Sequence, residues 1–330
     1  MKSSVFPLLL LSLSGAVASQ LLLQNNLALA ESAPAFYILE QWNLGGKSGW
    51  GALCLDATSN LLYIPRTERV TVLNAENGKV AGEIKGFGDA RNVALDDLGK
   101  YGYVTDISDG TAGYVRVFDR STFKLISSLS VGRIPGPIVF DPITKTVFAF
   151  SARDRSASVI DSRTNTVIAS IPLPGKPHIA VSNGEGAIFA GFRGIGTVAR
   201  IDTASRSLAG TWPIAPCYEF TGLTIDATHR QLLGSCVNGK LISVNADSGQ
   251  AIPIGEDTMG AGDLLFDPQR QLLISAASSG ELFILRQESA SQYALQQRAH
   301  TLARTGTIAF DPGRDRVYLV TAKFQQRPVN

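Results

Sequence analysis

The sequence is poor in the residues that do most metal and redox chemistry. Its 330 residues include only three histidines, three cysteines and two methionines. The cysteines are too far apart for a redox Cys-x-x-Cys pair, and no Cys-x-x-Cys-His run exists to attach haem. Charge is scarce as well. Charged residues make up 18% of the chain, against roughly a quarter in an average soluble protein. The 30 basic and 28 acidic residues nearly cancel, with no polybasic block. A nucleic-acid partner is therefore not expected, and the arginines at 153, 155, 193 and 200 read as a solvated strand edge. No stretch keeps a helical period over ten or more residues. No Gly-x-Ser-x-Gly elbow occurs. Gly45-Gly46-Lys47-Ser48 ends like a phosphate loop, but Gln41 stands where the first glycine belongs.

What is present is apolar and turn-rich: 45% hydrophobic residues, with 32 glycines and 15 prolines and no collagen-like period. The chain opens with Lys2 and an apolar run from Val5 to about Leu23, the pattern of an export leader over residues 1–30. Small-residue cleavage sites end at Ala18 and at Ala30, and the polar Gln24-Asn25-Asn26 before the second favours it. Beyond Ala30 no apolar run is long enough to span a membrane, so the expectation is a periplasmic or secreted bacterial protein whose mature domain covers residues 31–330. Cys54 lies in the apolar Ala52-Leu53-Cys54-Leu55 and reads as a core residue. Cys217 and Cys236 bracket two strands and a turn, and export favours a disulfide between them.

A repeat organises everything after the leader. Short apolar segments ending in Asp recur at Asp56, Asp96, Asp141, Asp226, Asp267 and Asp311, and Ile179-Ala180-Val181-Ser182 is a degenerate copy. The steps between the final residues are 40, 45, 41, 44, 41 and 44. A period in the low forties predicts one four-stranded propeller blade per repeat. Each repeat continues with a polar turn, a second strand, an alternating third strand and then Asp119, Asp161 or Asp202. Thr122, Thr164 and Ser205 follow three residues later, as in side-chain-capped turns. The fold class is all-β, a seven-bladed propeller.

Tyr103-Val104-Thr105-Asp106, the capped turns and the Gly-x-x-Pro connectors near Gly132 and Gly175 resemble YVTN-type propeller repeats. The segment from Ala215 to Leu223, with Gly234-Ser235-Cys236, is similar to exported bacterial YncE-like proteins. The resemblance covers residues 36–324 and implies a fold without implying a reaction. Phe36–Leu44 then looks like an outer strand that closes the ring in blade seven, beside strands at Thr307–Asp311 and Arg316–Phe324. Relatives carry one more strand, so a three-stranded last blade is expected.

Loops feeding the inner strands of a propeller form a rim around its channel, where ligands gather. Those positions hold Trp50, Asp89, Arg91, Arg133, His178, Tyr218, Glu219, Asp263 and Arg304. The arginines could donate to a small anion, and the same set also suits a mouth that merely touches water. Asp89, Glu219 and Asp263 could hold a divalent cation such as calcium; no cofactor is otherwise called for. His229 and His300 sit apart from this rim. The expected function is a non-catalytic module that binds a small ligand or an envelope protein. A metal-dependent lactonase-type hydrolase and a structural envelope protein are the alternatives.

Overall fold

The computed structural model describes residues 7–14, 35–45, 49–255, 262–303 and 306–321. Arg304, the two cleavage sites and the end of the expected strand Arg316–Phe324 lie outside these residues. The described strands form seven four-stranded antiparallel sheets. Six of them are contiguous in the chain, at residues 54–85, 90–131, 135–172, 177–213, 220–254 and 262–300, with strands in chain order across each sheet. The first strand of each sheet packs against the first strand of the next, and Ile308–Asp311 of the seventh returns to Cys54–Asp56 of the first.

The recurrent Asp has a physical reason. Asp56, Asp96, Asp141, Asp226, Asp267 and Asp311 are all buried at the end of a first strand. Each accepts backbone N–H groups of the turn that follows: Asp96 from Lys100 and Tyr101 (3.0 and 2.9 Å), Asp141 from Thr144 (2.9 Å), Asp311 from Gly313 and Arg314 (3.0 and 3.2 Å). A buried carboxylate is tolerable only when so bonded. Arg120 reaches both Asp56 and Asp96 and ties the first sheet to the second. In the degenerate fourth copy two short side chains divide this task. Ser182 accepts from the Gly184 amide (3.0 Å) and Asn183 from those of Glu185 and Ala187 (2.9 Å each).

The turn after the third strand works the same way. Asp119 accepts from the Ser121 and Thr122 amides, Asp202 from Ser205, and Asn74 and Asn245 fill the position in the first and fifth sheets. Asp161 instead accepts from Arg163, while Thr164 bonds Thr166. The position closing these turns has positive φ: Gly78, Phe123, Asn165, Arg206 and Gly249. At Gly78 and Gly249 a side chain is also excluded by space, because Trp42 and Trp212 of the preceding sheet lie where a Cβ would go. The motif Tyr103-Val104-Thr105-Asp106 is likewise a set of links. The Tyr103 hydroxyl donates to Asn165 Oδ1 (2.8 Å) and that of Thr105 to the Gly136 carbonyl (2.8 Å), both in the third sheet.

The seventh sheet departs from expectation. Its order is Ala35–Asn43, Pro7–Ser14, Arg316–Val320, Ile308–Asp311, so it has four strands rather than three. The N-terminal strand does not pair directly with Arg316–Val320. Pro7–Ser14, inside the stretch read as a leader, runs antiparallel to both. Phe36 joins the core of the sixth sheet and Trp42 that of the first, but Ile38 is exposed. A register shift at Leu10/Leu11 leaves Leu39 unpaired and puts Phe36 and Trp42, six residues apart, on opposite faces of the strand.

Candidate functional site at the mouth of the central cavity

A cavity of about 640 Å3 lies among the starts of the first strands, and each of the seven sheets, or the segment leading into its first strand, contributes to its wall. Close backbone approach shapes it. The Gly51 amide donates to the Pro65 carbonyl and the Ala52 amide to that of Arg91, and a Cβ on Gly51 would strike the Arg91 carbonyl. No other residue type fits there.

Four of the residues placed at this rim by sequence line the cavity: Trp50, Arg91, His178 and Asp263. Asp89 stands behind Arg91 as its ion-pair partner. Arg133 does not line it. Its Nε and amide donate to Asp154 (2.8 Å each), and this pair holds the Asp154 carboxyl below its usual range. Tyr218 is 67% exposed and uses its carbonyl to accept from the Gly196 amide. The solvated-edge reading of Arg193 needs correction, since this residue lines the cavity. It follows the second strand of the fourth sheet, and the antiparallel pair Pro177↔Phe192 returns it to the start of the first. Looking only before first strands misses residues that arrive just after second ones.

Arg193 links two of the predicted residues. One guanidinium nitrogen donates to His178 Nδ1 (2.9 Å), and the other lies 3.8 Å from Glu219 Oε1. The second carboxylate oxygen of Glu219 accepts from the Gly194 amide (3.0 Å). Burial, seconded by the Arg193 charge, lowers the His178 pKa, so the ring is neutral at neutral pH. Since Arg193 can only donate, Nδ1 accepts and Nε2 carries the proton. Glu219, Arg193 and His178 thus form a relay of fixed polarity ending on the cavity wall.

Asp263 differs from all of these. Among the described residues no cation pairs with it; burial pushes its carboxyl up to about 6, against hydrogen bonds from the Ile308 and Leu264 amides and the Thr307 hydroxyl. The Ile308 contact (3.0 Å) spans the sixth and seventh sheets. Asp89, Glu219 and Asp263, the carboxylates considered for calcium, are each committed to these separate partners. Among the described residues no three His, Cys, Asp or Glu side chains group to hold a metal ion.

Cys217 and Cys236 form a disulfide with a Cα–Cα distance of 5.6 Å, next to the Tyr218–Glu219 part of the rim, a bond consistent with an extracellular or periplasmic location. Cys54 is free, and burial pushes its thiol up to about 12, far from a reactive thiolate.

No family profile and no curated protein matches the sequence. Solved structures do match the fold. A chain of Kuenenia stuttgartiensis hydrazine synthase superposes with a TM-score of 0.72 at 17% identity, over 84% of this chain and 96% of that one. U3-55K gives 0.71 at 11% identity, again over 84% and 96%. A chain of the mitotic checkpoint complex gives 0.68 at 14%, over 82% and 88%. These likenesses are of fold alone, and the fold is of the β-propeller type.

Proposed function

We propose that this chain is an exported, YncE-like seven-bladed propeller, closed into a ring by its two ends, that binds without catalysing. Its ligand is a small anion or an anionic group of a partner, held at the cavity mouth. The observation that carries this reading is the convergence on one cavity of Arg91, Arg193 and the Nε2–H of neutral His178, beside Trp50. Arginines pre-oriented by Asp89 and Glu219 lose little entropy on meeting an oxyanion. The fold likeness to propellers in protein assemblies supports an interaction role for the same face. The disulfide and the N-terminal composition support periplasmic or secreted placement.

A thermal-shift screen of phosphate, sulfate and small carboxylates tests the site. Stabilisation by at least one anion, abolished in Arg193→Ala but kept in Arg133→Ala, is the expected result. No anion moving the melting temperature would refute it.

A further inference from the structure

We propose that the third position of the seventh sheet is a strand-acceptor slot whose occupant is the chain's own Pro7–Ser14. A stretch with the composition of an export leader then also serves as a structural strand. This inference is independent of the cavity reading.

The slot is shaped from outside. On one side Arg316–Val320 is fixed to the first sheet, where Tyr318 donates to the Ala75 carbonyl (2.7 Å) and Arg316 to that of Glu76 (3.3 Å). On the other, Ala35–Asn43 is held at both ends. The Phe36 amide and carbonyl engage the Gln297 side chain (2.7 and 2.6 Å), and Trp42 covers Gly78. These anchors keep the two strands two ladder spacings apart, about 9–10 Å. Without a strand between them, both would present unpaired N–H and C=O groups to each other across a gap neither can close.

Composition indicates what fits. Several third strands elsewhere are buried on both faces: Arg69–Asn74, Ser156–Asp161 and Leu241–Asn245 each contain four consecutive buried residues. A strand in that position reads as a continuous apolar run. Leu8-Leu9-Leu10-Leu11 is such a run, and Pro7, lacking an N–H, stands at the strand's first position, where proline is tolerated. The last ten residues, Thr321 to Asn330, contain no comparable run and include Pro328. The observed register supplies ladders on both sides, from Leu8↔Val320 to Ser12↔Arg316 and from Pro7↔Asn43 to Ser14↔Ala35. If the segment is cut away, the site it leaves suits any extended apolar strand running antiparallel to Arg316–Val320.

Protein purified from an exporting host tests this, by intact mass and hydrogen exchange. If residues 7–14 are retained, their amides should exchange on the order of a hundredfold more slowly than in an unstructured chain. Unprotected amides there would overturn the proposal. If they have been removed, a synthetic peptide of residues 5–16 with solubilising lysines should bind one to one, shift Trp42 fluorescence and raise the melting temperature. The same peptide carrying Leu10→Pro should fail. A cleaved protein that is folded and ignores the peptide would equally overturn the proposal.

Discussion

The third sheet is finished within residues 135–172, whereas the seventh draws on residues 7–14, 35–43, 308–311 and 316–320. Both end as four antiparallel strands with a buried Asp at the first turn. The third needs only hairpin contacts, each closing a short loop. The seventh must bring together segments nearly the whole chain apart, so its loop-closure entropy is larger and its contacts form last. The third sheet has redundant neighbours on a single stretch of chain. The seventh depends on a few anchors: Phe36 on Gln297, Trp42 over Gly78, Tyr318 on Ala75 and Ile308 on Asp263. Equal architecture does not mean equal local stability, and this seventh sheet, the seam between the two ends of the chain, is where local opening should start.

The largest expected effect comes from breaking the seam itself. Trp42→Ala should cost about 4 kcal/mol, because Trp42 packs with Tyr318 (6.3 Å between ring centroids) and fills the space over Gly78. The half-buried Trp212, which covers Gly249 in the same way between two contiguous sheets, should cost less when cut to Ala. Denaturant melts of the two variants would check the order, and a larger loss at Trp212 would undo the comparison. Reducing the Cys217–Cys236 bond should cost roughly 3 kcal/mol by the chain-entropy estimate. Exchange should then rise first in the fifth sheet, leaving the seam as it was.

Asp263 gives a smaller, pH-dependent effect. Its carboxyl sits at about 6 in the folded chain against an ordinary 3.8. The native state therefore holds a proton that the unfolded chain has released. The stability this supplies is full below the unfolded value and is lost as pH rises through the folded one. Asp263→Asn can accept from only one of the Ile308 and Leu264 amides but cannot ionise, so its stability relative to the parent should rise by on the order of 2 kcal/mol between pH 4 and pH 7. Urea melts at both values check the sign; a stability gap that stays constant between them would contradict it. The smallest effect separates two turn caps. Asp141→Ala, which strands the Thr144 amide and hydroxyl, should cost about 2 kcal/mol, and Ser182→Ala, with Asn183 still in place, under about 1 kcal/mol. Thermal melts resolve the difference.

Much of the fold was legible because its constraints are local. An Asp such as Asp141 or Asp311 caps the turn from first to second strand in six of the seven sheets, so it recurs at a nearly fixed spacing and marks those repeats. The Cys217–Cys236 bond was readable for the same reason, since it closes a single hairpin. The site was only partly legible. Trp50, Arg91, His178 and Asp263 could be placed by counting back from first strands, but no local signal shows that Arg133 turns to Asp154 rather than inward. Arg193 was missed because strand pairing, not position before a first strand, delivers it to the wall. The strand at Pro7–Ser14 was hidden more deeply: its apolar run reads first as a leader, and only its pairing with Ala35–Asn43 and Arg316–Val320, segments far apart in the chain, gives it a place in the sheet.

Native-state hydrogen exchange under rising denaturant tests the seam most directly. The amides of Phe36–Trp42 and Val317–Val320 should lose protection together, in one step and before those of Thr146–Ser151 in the third sheet. Independent loss at the two chain ends, or a seam that outlasts the third sheet, would contradict a seventh sheet that joins the two ends of the chain as one unit.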